Sequence, residues 1–144
     1  MDAFPESALM RPCPMQALDL ADDAEFDLVI LPYQVWYLAP SIPVMSFLKS
    51  DQAKRLLKGK PVITVIACRN MWFKAQEKMQ TLLNDVGAQL TDNIALTDPN
   101  STLATLITTP RWLWFGKKTP FWGLPAAGLT EAQVRGTRRF GLAL

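Results

Sequence analysis

Residues 26–43 read FDLVILPYQVWYLAPSIP: a compact apolar run, a proline, then an uncharged loop carrying two tyrosines and a tryptophan. FDLVIL (26–31) shows no polar/apolar alternation, the pattern of a strand covered on both faces in a parallel sheet. Such a strand needs helices beside it. Pro43 suits a first helical turn, Val44, Phe47 and Leu48 share a face, and QAKRLLKG continues beyond Ser50 and Asp51 to a glycine stop at Gly59. PVITVIA (61–67), rich in β-branched residues, is then a second buried strand, which completes a βαβ unit.

Further along, Asn70 is placed to cap a helix whose Trp72, Ala75, Met79, Leu82 and Val86 recur at spacings of three and four before Gly87. AQLTDNIALTD (88–98) puts Ala88, Leu90, Ile94 and Leu96 on one face, a third strand with one less protected side. Asp98-Pro99-Asn100 turns the chain. STLATLITTP suggests a short helix, and PRWLWFGKKTPFWGLP (110–125) has no period and reads as a loop. Thr130 and Gln133 form a capping-box pattern ahead of a last helix bearing Arg135, Arg138 and Arg139, weakened by Gly136 and Gly141. Residues 1–25, with Pro5, Pro12 and Pro14 before Asp19, Asp22, Asp23 and Glu25, read as an extended lead-in. The expected organisation is one domain: lead-in 1–25, α/β core 26–98, aromatic loop region 99–128 and C-terminal helix 129–144.

Composition bounds the chemistry. With 144 residues, 49% of them apolar, and a net charge of +2, the chain reads as one globular domain and a poor nucleic-acid binder. It has no histidine, which excludes Ser-His-Asp, Cys-His and His-zinc chemistry. Cys13 and Cys68 sit in no disulfide or metal-ligand spacing, and a reducing, cytoplasmic setting is expected. MDAFPES lacks the features of an export signal, and Pro32, Pro40 and Pro43 interrupt the uncharged 28–48 window that has the length of a membrane span.

Ligands of open α/β sheets bind beyond the carboxyl ends of the strands. Two segments belong there: PYQVWYLAPSIP after the first strand and CRNMW (68–72) after the second. Tyr33, Trp36 and Tyr37 offer faces for a flat heteroaromatic ligand such as a flavin, Gln34 offers a hydrogen-bonding amide, and the loop offers free backbone donors. The competing reading is that these aromatics cap the sheet or pack on the 110–125 loop. Arg69 and Asn70 suit an anion at a helix N-terminus, against simple capping by Asn70. Cys68 fits a buried structural thiol better than a group beside a ligand. RWLWFGKKTPFW mixes three cations with five aromatic rings. A lid or partner interface is favoured for it over membrane docking, base stacking or plain core.

The segments FDLVILPYQVWYLAPSIPVMSFLKS and LLKGKPVITVIACRNMW, with TTPRWL and FWGLP following in order, resemble flavodoxin-like proteins, most closely the dialkylresorcinol condensing enzyme family. The resemblance runs from about Phe26 to Pro125. It implies a flavodoxin-like parallel sheet flanked by helices and non-covalent binding of FMN. By the same resemblance Tyr33, Gln34, Val35, Trp36, Tyr37 and Leu38 cover the flavin ring, and Cys68, Arg69, Asn70 and Met71 approach its other edge.

The flavodoxin pattern also has a first strand leading into a Ser/Thr-rich phosphate loop, which residues 1–25 do not match, so the sheet is expected to be incomplete, with equivalents of strands three, four and five. The expected consequence is an open edge on FDLVIL: either the missing part lies upstream of Met1, the chain is a remnant, or another chain or a second copy pairs there. The resemblance implies an FMN-dependent redox protein linked to oxidative steps of dialkylresorcinol biosynthesis, acting on an aromatic or cyclohexanedione-type substrate; from the residue types and spacings, no metal site is expected. The alternative is a non-catalytic interaction protein or a truncated relative that no longer binds FMN.

Overall fold

The computed structural model describes residues 4–21 and 24–144. The chain divides into two compact units, Met1–Ile66 with Met71–Ala95, and Ala67–Asn70 with Leu96–Leu144.

The first unit runs α1 (Phe4–Ala8), β1 (Val29–Tyr33), β2 (Val35–Trp36), β3 (Ala39–Pro40), α2 (Ile42–Leu48), α3 (Asp51–Leu57), β4 (Pro61–Cys68), α4 (Phe73–Asp85) and β5 (Gln89–Thr97), the last two residues of β4 and of β5 being counted with the second unit. The strands form a parallel sheet in the order β1-β4-β5, with β1 and β4 in register from Val29 opposite Val62 to Tyr33 opposite Ile66. An α/β fold with an incomplete parallel sheet and flanking helices is thus the architecture.

The first strand lies slightly downstream of FDLVIL, because Pro32 and Tyr33 continue the ladder. A proline is tolerated there since β1 pairs on one side only among the described residues, so the missing N–H costs no sheet bond. The expected single helix over 43–59 is two, α2 and α3. Ser50 separates them: its side chain accepts from the Ala53 N–H at 3.1 Å and starts a new helix. The lead-in is not wholly extended, since Phe4–Ala8 is helical.

Helix α4 follows the apolar spacing read from the sequence, with Ala75, Met79, Leu82 and Leu83 buried. It begins at Phe73, after Trp72, so Asn70 does not cap it. Gly87, at φ +74°, ends it: its N–H donates to the Asn84 carbonyl and that of Ala88 to the Leu83 carbonyl, both at 2.9 Å. This double closure needs a left-handed residue, which glycine adopts without steric cost. Met45 and Leu48 of α2, Val62 and Ile66 of β4, and Met79 and Leu83 of α4 make the fully buried core. Each contributes about 1.5–3 kcal/mol by leaving water.

The second unit carries α5 (Thr102–Phe115), α6 (Glu131–Gly136) and α7 (Arg138–Gly141). Sequence places a loop from Pro110 onward, but α5 runs on for five residues beyond that proline. Pro110 removes only the bond to the carbonyl of Leu106, a residue open to solvent. The helix stops at Gly116, φ +67°, whose N–H donates to the Trp112 carbonyl at 2.8 Å. Asp98 anchors both the turn before α5 and the chain ahead of α6: its carboxylate accepts from the N–H of Asn100 at 2.9 Å and of Gly128 at 2.7 Å. The Thr130/Gln133 capping box forms as expected and opens α6. The last helix is broken at Thr137, whose hydroxyl donates to the Val134 carbonyl at 2.7 Å.

Candidate functional site

The segment beyond β1 is a tight hairpin. Strands β2 and β3 pair antiparallel, Val35 opposite Pro40 and Trp36 opposite Ala39, and Tyr37 and Leu38 form the turn. Both turn residues have positive φ, +49° and +60°. Two-residue turns that match strand twist demand this conformation, and the sequence usually meets the demand with Asn-Gly. Here two large side chains occupy it, at a cost of order 1 kcal/mol or more each.

The hairpin is buttressed from the first helix. The Ser7 hydroxyl, fully buried, donates to the Trp36 carbonyl at 2.8 Å, and the Phe4 ring meets Tyr37 edge to face at 4.9 Å. The Ser41 N–H donates to the Gln34 carbonyl at 2.8 Å. The Trp36 indole N–H donates to Gln34 Oε1 at 3.2 Å, which fixes the ring relative to the amide. Trp36, Tyr37 and Leu38 stay 37%, 48% and 40% exposed, and Val35 is half-buried.

Tyr33 does something else. It is 4% exposed, and its hydroxyl donates to Gln76 Oε1 at 2.7 Å, so its ring is held in the interior rather than presented for stacking. From Gln76 the bonding continues inward. Gln76 Nε2 donates to Thr64 Oγ1 at 3.1 Å, and the Thr64 hydroxyl donates to Asn93 Oδ1 at 2.8 Å. Thr64 is fully buried. This polar chain ties β1, α4, β4 and β5 together behind the hairpin. Sequence reading missed it: Thr64 passed as one β-branched residue in PVITVIA, although it is the sole polar side chain in that run. Phe4 and Ser7 lay in a stretch without period and carried no signal.

The second group of expected residues divides between the units: Cys68, Arg69 and Asn70 belong to the second and Met71 to the first. Cys68 and Arg69 are half-buried, and Asn70 and Met71 exposed. The Cys68 carbonyl accepts from the Asp98 N–H at 3.1 Å, and burial pushes its thiol above the ordinary value, which suits a structural group better than a nucleophile. Asn70 stands in a bend ahead of α4 rather than at its N-terminus, which removes the helix-terminus argument for an anion there. The residues brought together as one surface are therefore Gln34, Trp36, Tyr37 and Leu38.

Elsewhere in the first unit, an apolar cavity of about 300 Å³ lies along β1, bordered by Leu18, Leu20, Phe26, Ile30, Phe47 and Leu56. Among the described residues no three His, Cys, Asp or Glu side chains gather as metal ligands, and no helix is long and apolar enough to cross a membrane. No protein-family model matches the chain, and neither does any curated protein.

Proposed function

We propose that this chain is a flavodoxin-like redox protein that receives the isoalloxazine ring of FMN against the 34–38 hairpin. The observation that supports it is the strained display of Trp36, Tyr37 and Leu38 beyond the carboxyl end of β1. Strain of this kind persists where surrounding contacts enforce it and concentrates at ligand sites, and Ser7, Phe4 and Ser41 supply the enforcement.

The ring half of FMN fits the residues present: aromatic side chains for the flat faces and the Gln34 amide for a polar edge. The phosphate half finds no match in the first helix, since the Ser7 hydroxyl is already committed to Trp36. Binding then rests on the ring. A bound flavin would supply two-electron oxidation of the kind that turns a cyclohexanedione into a resorcinol. The chain's own residues bind and orient. Addition of protein to FMN is expected to quench flavin fluorescence saturably, and Trp36→Ala to weaken binding about tenfold. A folded protein that leaves FMN fluorescence unchanged refutes the reading.

A specific observation favours a second reading, an interaction protein. On β1 one side carries no strand among the described residues, and Ile30, 51% exposed, stands over the apolar cavity. A strand edge that no other strand covers invites a strand of a second copy. Light scattering that finds a dimer, lost on Ile30→Lys, supports it; a monomer at every concentration removes it.

A further inference from the structure

Helix α5 is inside out. Its small and polar residues Ala104, Thr105 and Thr108 are buried, while Leu103, Leu106, Ile107, Leu113 and Trp114 face solvent. At 100° per residue these five, with Pro110 among them, fall within an arc of about 120°, the width of a core-facing stripe. The exposures are large: 76% for Leu103, 78% for Leu113 and 71% for Trp114.

What covers this stripe is indicated by charge. From Pro99 to Thr130 the chain has Arg111, Lys117 and Lys118 and not one acidic residue. Lys117 and Lys118 are exposed just past the helix end, with Lys118 Nζ 5.2 Å from the Trp112 ring centroid. Arg111 donates to the carbonyls of Lys117 and Thr119, at 3.2 and 2.7 Å, holding the basic turn against the helix. Trp122, 89% exposed, extends the same segment, at φ +48°. An apolar helix face carrying Trp114, with lysines flanking the helix end, is the composition of a helix lying in the headgroup region of a bilayer. A second copy would bring the same unneutralised cations to the contact. At 1.5 Å per residue α5 is about 21 Å long, too short to span a hydrocarbon core of about 30 Å.

We infer that the exposed face of α5, with the basic aromatic segment 111–122, docks on an anionic lipid surface. The apolar stripe enters the acyl boundary, and Lys117 and Lys118 meet lipid phosphates and carboxylates. This goes beyond the flavin reading and uses a different unit of the chain.

Co-sedimentation of the full-length protein with phosphatidylcholine vesicles containing phosphatidylserine, and with pure phosphatidylcholine vesicles, tests it. Binding is expected to the anionic vesicles, with a blue shift of tryptophan emission, and to be much weaker to the neutral ones. Neutralising both lysines, Lys117→Gln with Lys118→Gln, is expected to lower affinity roughly 30-fold. Leu106→Gln with Leu113→Gln is expected to lower it at least tenfold. All four side chains are on the surface, so far-UV circular dichroism should match the parent. Absence of binding to anionic vesicles, equal binding to both compositions, or binding indifferent to both pairs overturns the inference. So does a dimer in light scattering that Leu106→Gln with Leu113→Gln dissolves while vesicle binding is absent.

Discussion

Thr64→Val probes the polar chain that braces the sheet behind the hairpin. Valine has nearly the shape of threonine, so the substitution removes the hydroxyl with little change of volume. Thr64 Oγ1 makes two bonds, accepting from Gln76 at 3.1 Å and donating to Asn93 at 2.8 Å, at a position with no solvent access. At about 1 kcal/mol net per bond the loss is about 2 kcal/mol. Gln76 and Asn93 are only half-buried and regain part of it by hydration, leaving roughly 1–2 kcal/mol. In urea unfolding followed by far-UV circular dichroism, the midpoint should fall by about 0.5–1 M. Tyr33→Phe removes the first link of the same chain, so the double variant should cost about 0.5 kcal/mol less than the sum of the two single losses. A Thr64→Val protein as stable as the parent would refute the reasoning, because the buried hydroxyl would then contribute no more than a methyl group. Strict additivity would show that Tyr33 and Thr64 do not act as one network.

Leu38→Gly relieves a positive φ of +60°, worth about 1 kcal/mol, but gives up a side chain that is only 40% exposed, about 1–2 kcal/mol, so stability should fall by no more than about 1 kcal/mol. A loss above about 1 kcal/mol in thermal or urea melts would mean that packing, not display, holds Leu38. Gly128→Ala places a Cβ 3.1 Å from the Trp112 ring at φ +84°, and should cost about 1–2 kcal/mol; an unchanged melting temperature would contradict the described geometry. Burial raises the Cys68 pKa and half-covers its thiol, whereas Cys13 is exposed, so iodoacetamide should label Cys13 first at pH 7, read by peptide mass spectrometry. With the folded value above the unfolded one, the contribution of Cys68 to stability is present below the unfolded thiol value and fades as pH rises through the folded one; faster labelling of Cys68 at pH 7 would refute the assignment.

Much of the fold was legible because it depends on patterns longer than a turn. PVITVIA and the Ala75-Met79-Leu82 spacing gave a buried strand and its helix, and the lack of a match in residues 1–25 to the first strand that the resemblance calls for implied a short sheet. What was missed turned on single residues. Ser50 split one helix into two by offering its side chain to Ala53. Pro110, read as a stop, sits mid-helix because the carbonyl it deprives belongs to an exposed turn.

The candidate site was legible in place and misread in detail. The hairpin lies where the loop was expected, and the aromatic content was plain, but burial of Tyr33 depends on Gln76 reaching across from α4, which no local pattern encodes. Asn70 failed as a cap because α4 starts only at Phe73. The apolar face of α5 was hidden by reading residues 110–125 without a period, which cut Leu113 and Trp114 off from Leu103, Leu106 and Ile107.

The central claim, that the hairpin binds a flavin by its ring, is tested most directly by titrating riboflavin and FMN in parallel and following flavin fluorescence. Since the committed Ser7 hydroxyl leaves the first helix without a phosphate contact, both should be quenched saturably with dissociation constants within about threefold of each other, a difference below about 0.7 kcal/mol. Quenching of neither by folded protein would contradict the claim. FMN bound a hundredfold more tightly than riboflavin, about 2.8 kcal/mol, would place the dominant contact at the phosphate instead of the ring.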